Sequence, residues 1–314
     1  MSQKKFTLYW SSLAKYENCP QQFLWSKGWG EIDVGGGPGK KKPLPVKISK
    51  HHQMMGTAIQ GVIEQFYNRK LWLEYRNKPE HLKQYLLTEM SNQIQLGLSS
   101  FYVDTRLAPL DEITETIKNG IFGYFNTMRM NHFLGEYSEA EVDMVCYVDK
   151  HTPIGGRADL IIRRQDTGIT ILDGKNSKRY KGGKTYTDPD QLRWYALTFK
   201  LSYNKLPDRL GFFYYRYPYG TPILDKDGVD TGEIEQGVEW VSYTEDDLKG
   251  LGDRAVKASW GIKDEKFDPN PVPSYCKFCD YETVCPQRLQ QKANNSKERK
   301  PKIIIPDGFS ELSF

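Results

Sequence analysis

Four short apolar runs of strand character, 140–148, 158–163, 169–173 and 209–216, follow one another with one helical pattern, 190–200, between the third and the fourth. A strand, helix and strand in that order call for a sheet with a crossover helix, which makes the chain α/β. Thr187-Asp188-Pro189 opens the helix, with Asp188 suited to the N-cap and Pro189 to the first helical position. Two of the runs each deliver one acid, Asp159 near the start of the second and Asp173 at the end of the third, and Lys175 follows two residues after the latter. Side chains alternate along a strand, so Asp173 and Lys175 point the same way while Gly174 leaves its backbone accessible. Two carboxylates and a backbone carbonyl suit Mg²⁺ or Mn²⁺, and a nearby lysine can orient or deprotonate a water. A solvated hairpin would use the same residues for solubility alone.

Upstream the period is helical. Residues 53–76 carry Met55, Ile59, Val62, Ile63, Phe66 and Tyr67 on one side, and further helical patterns run over 79–98 and 110–133. They predict a helical block ahead of the sheet. The first pattern, 8–25, reads as a helix broken at Cys19-Pro20, and 28–47, rich in Gly, Pro and Lys, reads as a mobile loop. Downstream, 221–247 is an elaborated acidic hairpin ending in a strand over 237–243. A helix over 244–261 follows, capped by Thr244 with Asp247 three residues on. Residues 290–302 are polar and basic and are expected to be disordered. The apolar tail 303–314 suits either a partner-docking peptide or an extra strand. The divisions expected are 1–48, 49–135, 136–267, 268–290 and 291–314.

The formal charge is +4, from 44 Lys+Arg against 40 Asp+Glu, so any nucleic-acid contact must come from local clustering and not from the global field. Aromatic content of 13% allows base stacking. Neither a secretory apolar region after Met1 nor a run of 18 apolar residues is present, which predicts a cytoplasmic protein that does not span a membrane. In a reducing compartment the five cysteines are expected to be ligands or core thiols. Cys276, Cys279 and Cys285 cluster, and Cys19 is the candidate fourth. The Cys-Pro pairs at 19–20 and 285–286 lean toward an iron-sulfur cluster, and four thiolates on zinc are the alternative. Cys146, alternating along an apolar run, reads as a buried thiol.

These residues, in this order, resemble the PD-(D/E)XK nuclease superfamily, and within it the RecB-like nucleases that carry an iron-sulfur clasp, such as the AddB nuclease domain and the CRISPR-associated and phage RecB-like exonucleases. The resemblance spans Ser12 to Pro286. The stretch around Cys19-Pro20 is similar to the first cysteine element, and Gly155-Gly156-Arg157-Ala158-Asp159 to the Gly-x-x-Asp element. Asp173-Gly174-Lys175 is similar to (D/E)-x-K, Gln191 with Tyr195 to Gln-x-x-x-Tyr, and Cys276, Cys279 and Cys285 to the closing triplet.

The resemblance implies a restriction-endonuclease-like core, a central mixed β-sheet flanked by helices, with an N-terminal helical block and a C-terminal iron-sulfur segment. It implies a metal-dependent exonuclease on single-stranded DNA with free ends, stabilised by a 4Fe-4S cluster on Cys19, Cys276, Cys279 and Cys285. Asp159, Asp173 and the Gly174 carbonyl would hold Mg²⁺ or Mn²⁺, and Lys175 would position the attacking water. Gln191 and Tyr195 would orient the lysine or the substrate, and Glu141 would add a carboxylate. Relatives often carry a histidine ligand in Gly-x-x-x-His. Here Gly56 leads to Gln60, whose amide oxygen is a poorer ligand, with His51 and His52 upstream as substitutes. A non-catalytic DNA-binding or assembly subunit is the alternative that Gln60 supports.

Overall fold

A computed structural model describes residues 6–33, 40–44, 49–75, 78–130, 137–166, 168–176, 187–225, 227–277 and 279–298. In chain order the described elements are β1 (Leu8–Tyr9), α1 (Trp10–Asn18), α2 (Pro20–Ser26), β2 (Ile32–Asp33), β3 (Lys40–Lys41), α3 (His51–Asn68), α4 (Leu71–Tyr75), α5 (Pro79–Ser100) and α6 (Leu110–Met130). There follow β4 (Tyr137–Tyr147), β5 (Pro153–Arg164), β6 (Gly168–Lys175), α7 (Pro189–Tyr203), β7 (Arg209–Tyr214), β8 (Pro222–Leu224), β9 (Asp230–Ile234), β10 (Val238–Val241), α8 (Glu245–Lys263), α9 (Pro273–Cys276) and α10 (Pro286–Glu298). Two compact units result, one from the residues up to Leu13 with Lys47–Asp264, the other from Ala14–Val46 with the stretch from Glu265 onward.

The first unit is a mixed sheet flanked by helices, with strand order β1-β5-β6-β7-β10 and β4 paired along β5. Strand β5 is central because its run Leu160 to Ile162 is apolar on both faces, with all three residues buried. Strands β6 and β7 pair in parallel, and α7 makes the crossover such a pair needs. Its start is fixed as its sequence predicts, with the Asp188 side chain accepting from Asp190 N and Pro189 in the first turn. Trp194 Nε1 then ties α7 to the sheet by donating to Gly155 O at 2.9 Å.

The helical block supplies the other half of this core. Ile59, Val62, Ile63 and Phe66 of α3 are buried with Ile117 and Ile121 of α6 and with Leu160, Leu172 and Phe213 of the sheet. Each such side chain contributes about 1.5–3 kcal/mol by leaving water. Helix α3 stops short of the predicted 76, because Lys70 takes a left-handed φ of 54° and α4 starts afresh. Helix α8 carries the full reciprocal cap between Thr244 and Asp247.

The second unit has an aromatic interior. Trp25 meets Tyr281 edge-on at 5.5 Å, Phe23 stacks on Phe267 at 6.4 Å, and Tyr16 donates to Lys266 O. Three expectations are corrected here. The helix over 8–25 starts later, at Trp10, because Leu8–Tyr9 pairs with β5 as a strand, while its break falls at Cys19-Pro20 as expected, since Pro20 has no N–H to continue α1 and Cys19 is extended. The loop over 28–47 contains a small antiparallel pair, Ile32–Asp33 with Lys40–Lys41. The stretch after Gln290 is helical to Glu298, started by Pro286 and pinned where Arg288 and Lys292 both pair with Glu282. The tail 303–314 lies outside the described residues. Among the described residues no helix is long and apolar enough to cross a membrane.

Candidate active site

Three carboxylates lie in one row across three strands. The β4–β5 ladder pairs Ala140 with Leu160 and Val142 with Ala158 but skips the pair between them, Glu141 and Asp159. The β5–β6 ladder begins at Leu160 with Leu172, one row short of Asp159 and Asp173. Like charges at facing positions oppose pairing, so a sheet built only for stability avoids such a row. The break also turns the strand. Gly156 is backed by Thr198 and Tyr195 of α7, whereas Leu160 and Ile162 pack with α3 and α6. On an unbroken strand these even-numbered residues would share a face; the change falls between Gly156 and Leu160, the stretch that holds Asp159 opposite Glu141 in its left-handed φ of 54°.

Each carboxylate has its own partners. Asp173 is 2% exposed, and its Oδ1 accepts from Gln191 Nε2 at 2.9 Å and Tyr195 OH at 3.3 Å. Its Oδ2, sealed from solvent, is ion-paired with the Lys175 ammonium. Lys175 Nζ donates to Gln191 Oε1 at 2.9 Å, so one glutamine holds both members of the pair. Asp190, bonded to Arg193 and Arg254, steadies the helical turn that carries Gln191. Asp159 Oδ2 accepts from Gly174 N at 2.8 Å. Burial, and next the charge of Asp173, push the Asp159 carboxyl well above the usual carboxylate range.

Glu141 Oε1 accepts from Gln60 Nε2 at 2.8 Å, and its Oε2 pairs with Arg157. Tyr215 OH donates to Gln60 Oε1 at 2.5 Å. These groups line a cavity of about 440 Å³ together with Asp159, Gly174, Gly56 and Glu64. Burial, and then Glu141, raise the Glu64 carboxyl. His51 and His52 do not line this cavity. His51 Nδ1 is bonded to Ser49 Oγ, and His52 O accepts from Asn176.

Among the described residues no three His, Cys, Asp or Glu side chains are already arranged around a metal position. Gln191, Tyr195, Lys175, Gly174, Gln60 and Arg157 are the partners of the three carboxylates of the row. The donor set of Glu141, Asp159, Asp173 and the Gly174 carbonyl is all oxygen, which in type fits a hard divalent cation. Tyr215 and Arg157 are site residues to which the sequence motifs assign no role. Arg157 carried a signal, being two residues from Asp159 on one strand; Tyr215 carried none, since its place depends on the parallel register of β7 on β6.

In the second unit Cys19, Cys276, Cys279 and Cys285 are all free thiols and border one small cavity of about 30 Å³. Burial raises the Cys276 and Cys279 thiols. Four soft donors suit zinc or an iron-sulfur cluster in type. Cys146 is buried under Thr198 O, as its alternation predicts.

The sequence pattern of the PD-(D/E)XK nuclease superfamily matches residues 9–286. Gene 69 protein of Mycobacterium phage D29 is 25% identical over 128 residues, 40% of this chain. The chain thus spans 43% of that relative's length. The crystal structure of SSO0001 aligns with 76% of this chain and 85% of its own at 16% identity, with a TM-score of 0.35.

Proposed function

Because the chain belongs to the PD-(D/E)XK nuclease superfamily, we propose that it is a divalent-metal-dependent deoxyribonuclease that degrades single-stranded DNA from free ends. The observation that carries the metal-dependent part is the row Glu141, Asp159 and Asp173, with Lys175 held beside it by Gln191. The single-strand and exonucleolytic part rests on the ordered resemblance to RecB-like exonucleases. Asp159, Asp173 and the Gly174 carbonyl would hold Mg²⁺ or Mn²⁺, with Glu141 as a further carboxylate. Such an ion supplies Lewis-acid charge to a phosphoryl oxygen and acidifies a water.

The chain's own groups do the rest. Lys175 holds the attacking water at its ammonium and offsets charge developing on the phosphate. Gln191 keeps that ammonium from swinging to solvent, and Tyr195 keeps Asp173 Oδ1 oriented. On the resemblance, the four cysteines, which border one cavity, would bind a 4Fe-4S cluster with a structural role, joining the two chain segments of the second unit. Anaerobically purified protein given end-labelled single- and double-stranded DNA with Mn²⁺ tests the activity, beside Asp173→Ala. Iron and sulfide assays on the same protein test the cluster. Gln60 in place of the usual histidine favours one further reading, a non-catalytic DNA-binding subunit. In that case wild type and Asp173→Ala both bind DNA without cutting it.

A further inference from the structure

Gln60 stands where a ligand is expected, yet both ends of its amide are committed. Its oxygen accepts from Tyr215 OH at 2.5 Å, and its nitrogen donates to Glu141 Oε1 at 2.8 Å. This orientation is chemically forced, since a carboxylate only accepts and so must meet the amide's N–H. Glu141 needs such a hold. A glutamate with φ of 54° occupies a conformation that L residues seldom adopt and that neighbouring contacts must maintain. Tyr215 in turn is fixed against the backbone of Gly174. A chain of contacts therefore runs from Gly174 through Tyr215 and Gln60 to Glu141, around one cavity.

We infer that Gln60 is a positioning residue and not a metal ligand: it holds the side-chain carboxylate of Glu141, whose backbone is strained, in place for a divalent ion, with Tyr215 fixing the amide. This rests on the nuclease reading of the same site. It separates from a ligand role by coupling, because a positioning residue acts only through the group it holds.

The test is Mn²⁺ affinity by electron paramagnetic resonance on DNA-free full-length protein, for wild type, Gln60→Met, Glu141→Gln, the double variant, Tyr215→Phe and Asp173→Ala. Gln60→Met and Glu141→Gln are each expected to weaken binding about tenfold or more. The double variant should be no weaker than the worse single, and Tyr215→Phe should also weaken binding. Multiplicative losses in the double variant, or tighter binding in Tyr215→Phe, overturn the inference, the second also covering the case in which Gln60→Met does not fold. Binding lost in Asp173→Ala with either of those results sinks this inference alone. Binding untouched by Asp173→Ala sinks the nuclease reading with it.

Discussion

The hydroxyl of Tyr215 lies against the α-carbon of Gly174, well inside van der Waals distance of where a Cβ at that position would stand. The residue between Asp173 and Lys175 is therefore glycine for a steric reason. A methyl group there would push Tyr215 off Gln60 and disturb the Gly174 N–H bond to Asp159. Gly174→Ala is expected to lose about 1–3 kcal/mol in chemical denaturation. Cutting Tyr215 back to Leu in the same chain should recover part of that loss, and an additive result would speak against the contact.

Lys175 is the cation of the Asp173 pair and is bonded to Gln191. Lys175→Met is expected to lower cleavage by about 10²–10⁴-fold while leaving binding of end-labelled DNA near the wild-type level. Gln191→Ala should give a smaller loss in the same direction. Single-turnover kinetics separate the two variants.

Asp159 is raised by burial and by Asp173, which fixes the sign of a pH effect. A carboxyl with a raised folded-state pKa makes the folded chain bind a proton that the unfolded chain releases. Stability is thus full below the unfolded value of about 3.9 and declines as pH rises toward the folded value. Asp159→Asn removes that penalty. In excess chelator it should melt above wild type at pH 8, with the gap closing near pH 4; a constant gap would remove ionisation as its cause.

The cysteines divide in the same way. Cys276→Ser and Cys285→Ser are expected to lose iron and sulfide and to lower the melting temperature, since both thiols border the shared cavity. Cys146→Ser should leave metal content unchanged, because its thiol is buried in the other unit. Elemental analysis of the purified variants decides it.

Much of the site was legible because its residues are close in sequence and their spacing has a geometric meaning. Asp173 and Lys175 share a strand face, and Gln191 and Tyr195 share a helix face. Strands β4, β5, β6, β7 and β10 followed from period, whereas β1 lies in a stretch that reads as helix, and the caps at Asp188 and Thr244 followed from residue type. What stayed hidden depends on pairing between distant segments. Tyr215 reaches the site through the β6–β7 register, and the row of acids appears only when Glu141 is set opposite Asp159. The left-handed turn at Glu141 is written in no residue preference, since glutamate seldom adopts it. Helix α10 was mistaken for disorder because polar composition conceals the ion pairs of Arg288 and Lys292 with Glu282.

The central claim is that the row of Glu141, Asp159 and Asp173 is a metal-dependent phosphodiester-cleaving site. Its most direct test is degradation of end-labelled single-stranded DNA by anaerobically purified protein with Mn²⁺, run beside Asp173→Ala. The account predicts progressive shortening from an end by wild type, and intact DNA, still bound, with the variant. Shortening by the variant at the wild-type rate, or none by metal-loaded wild type, would contradict it.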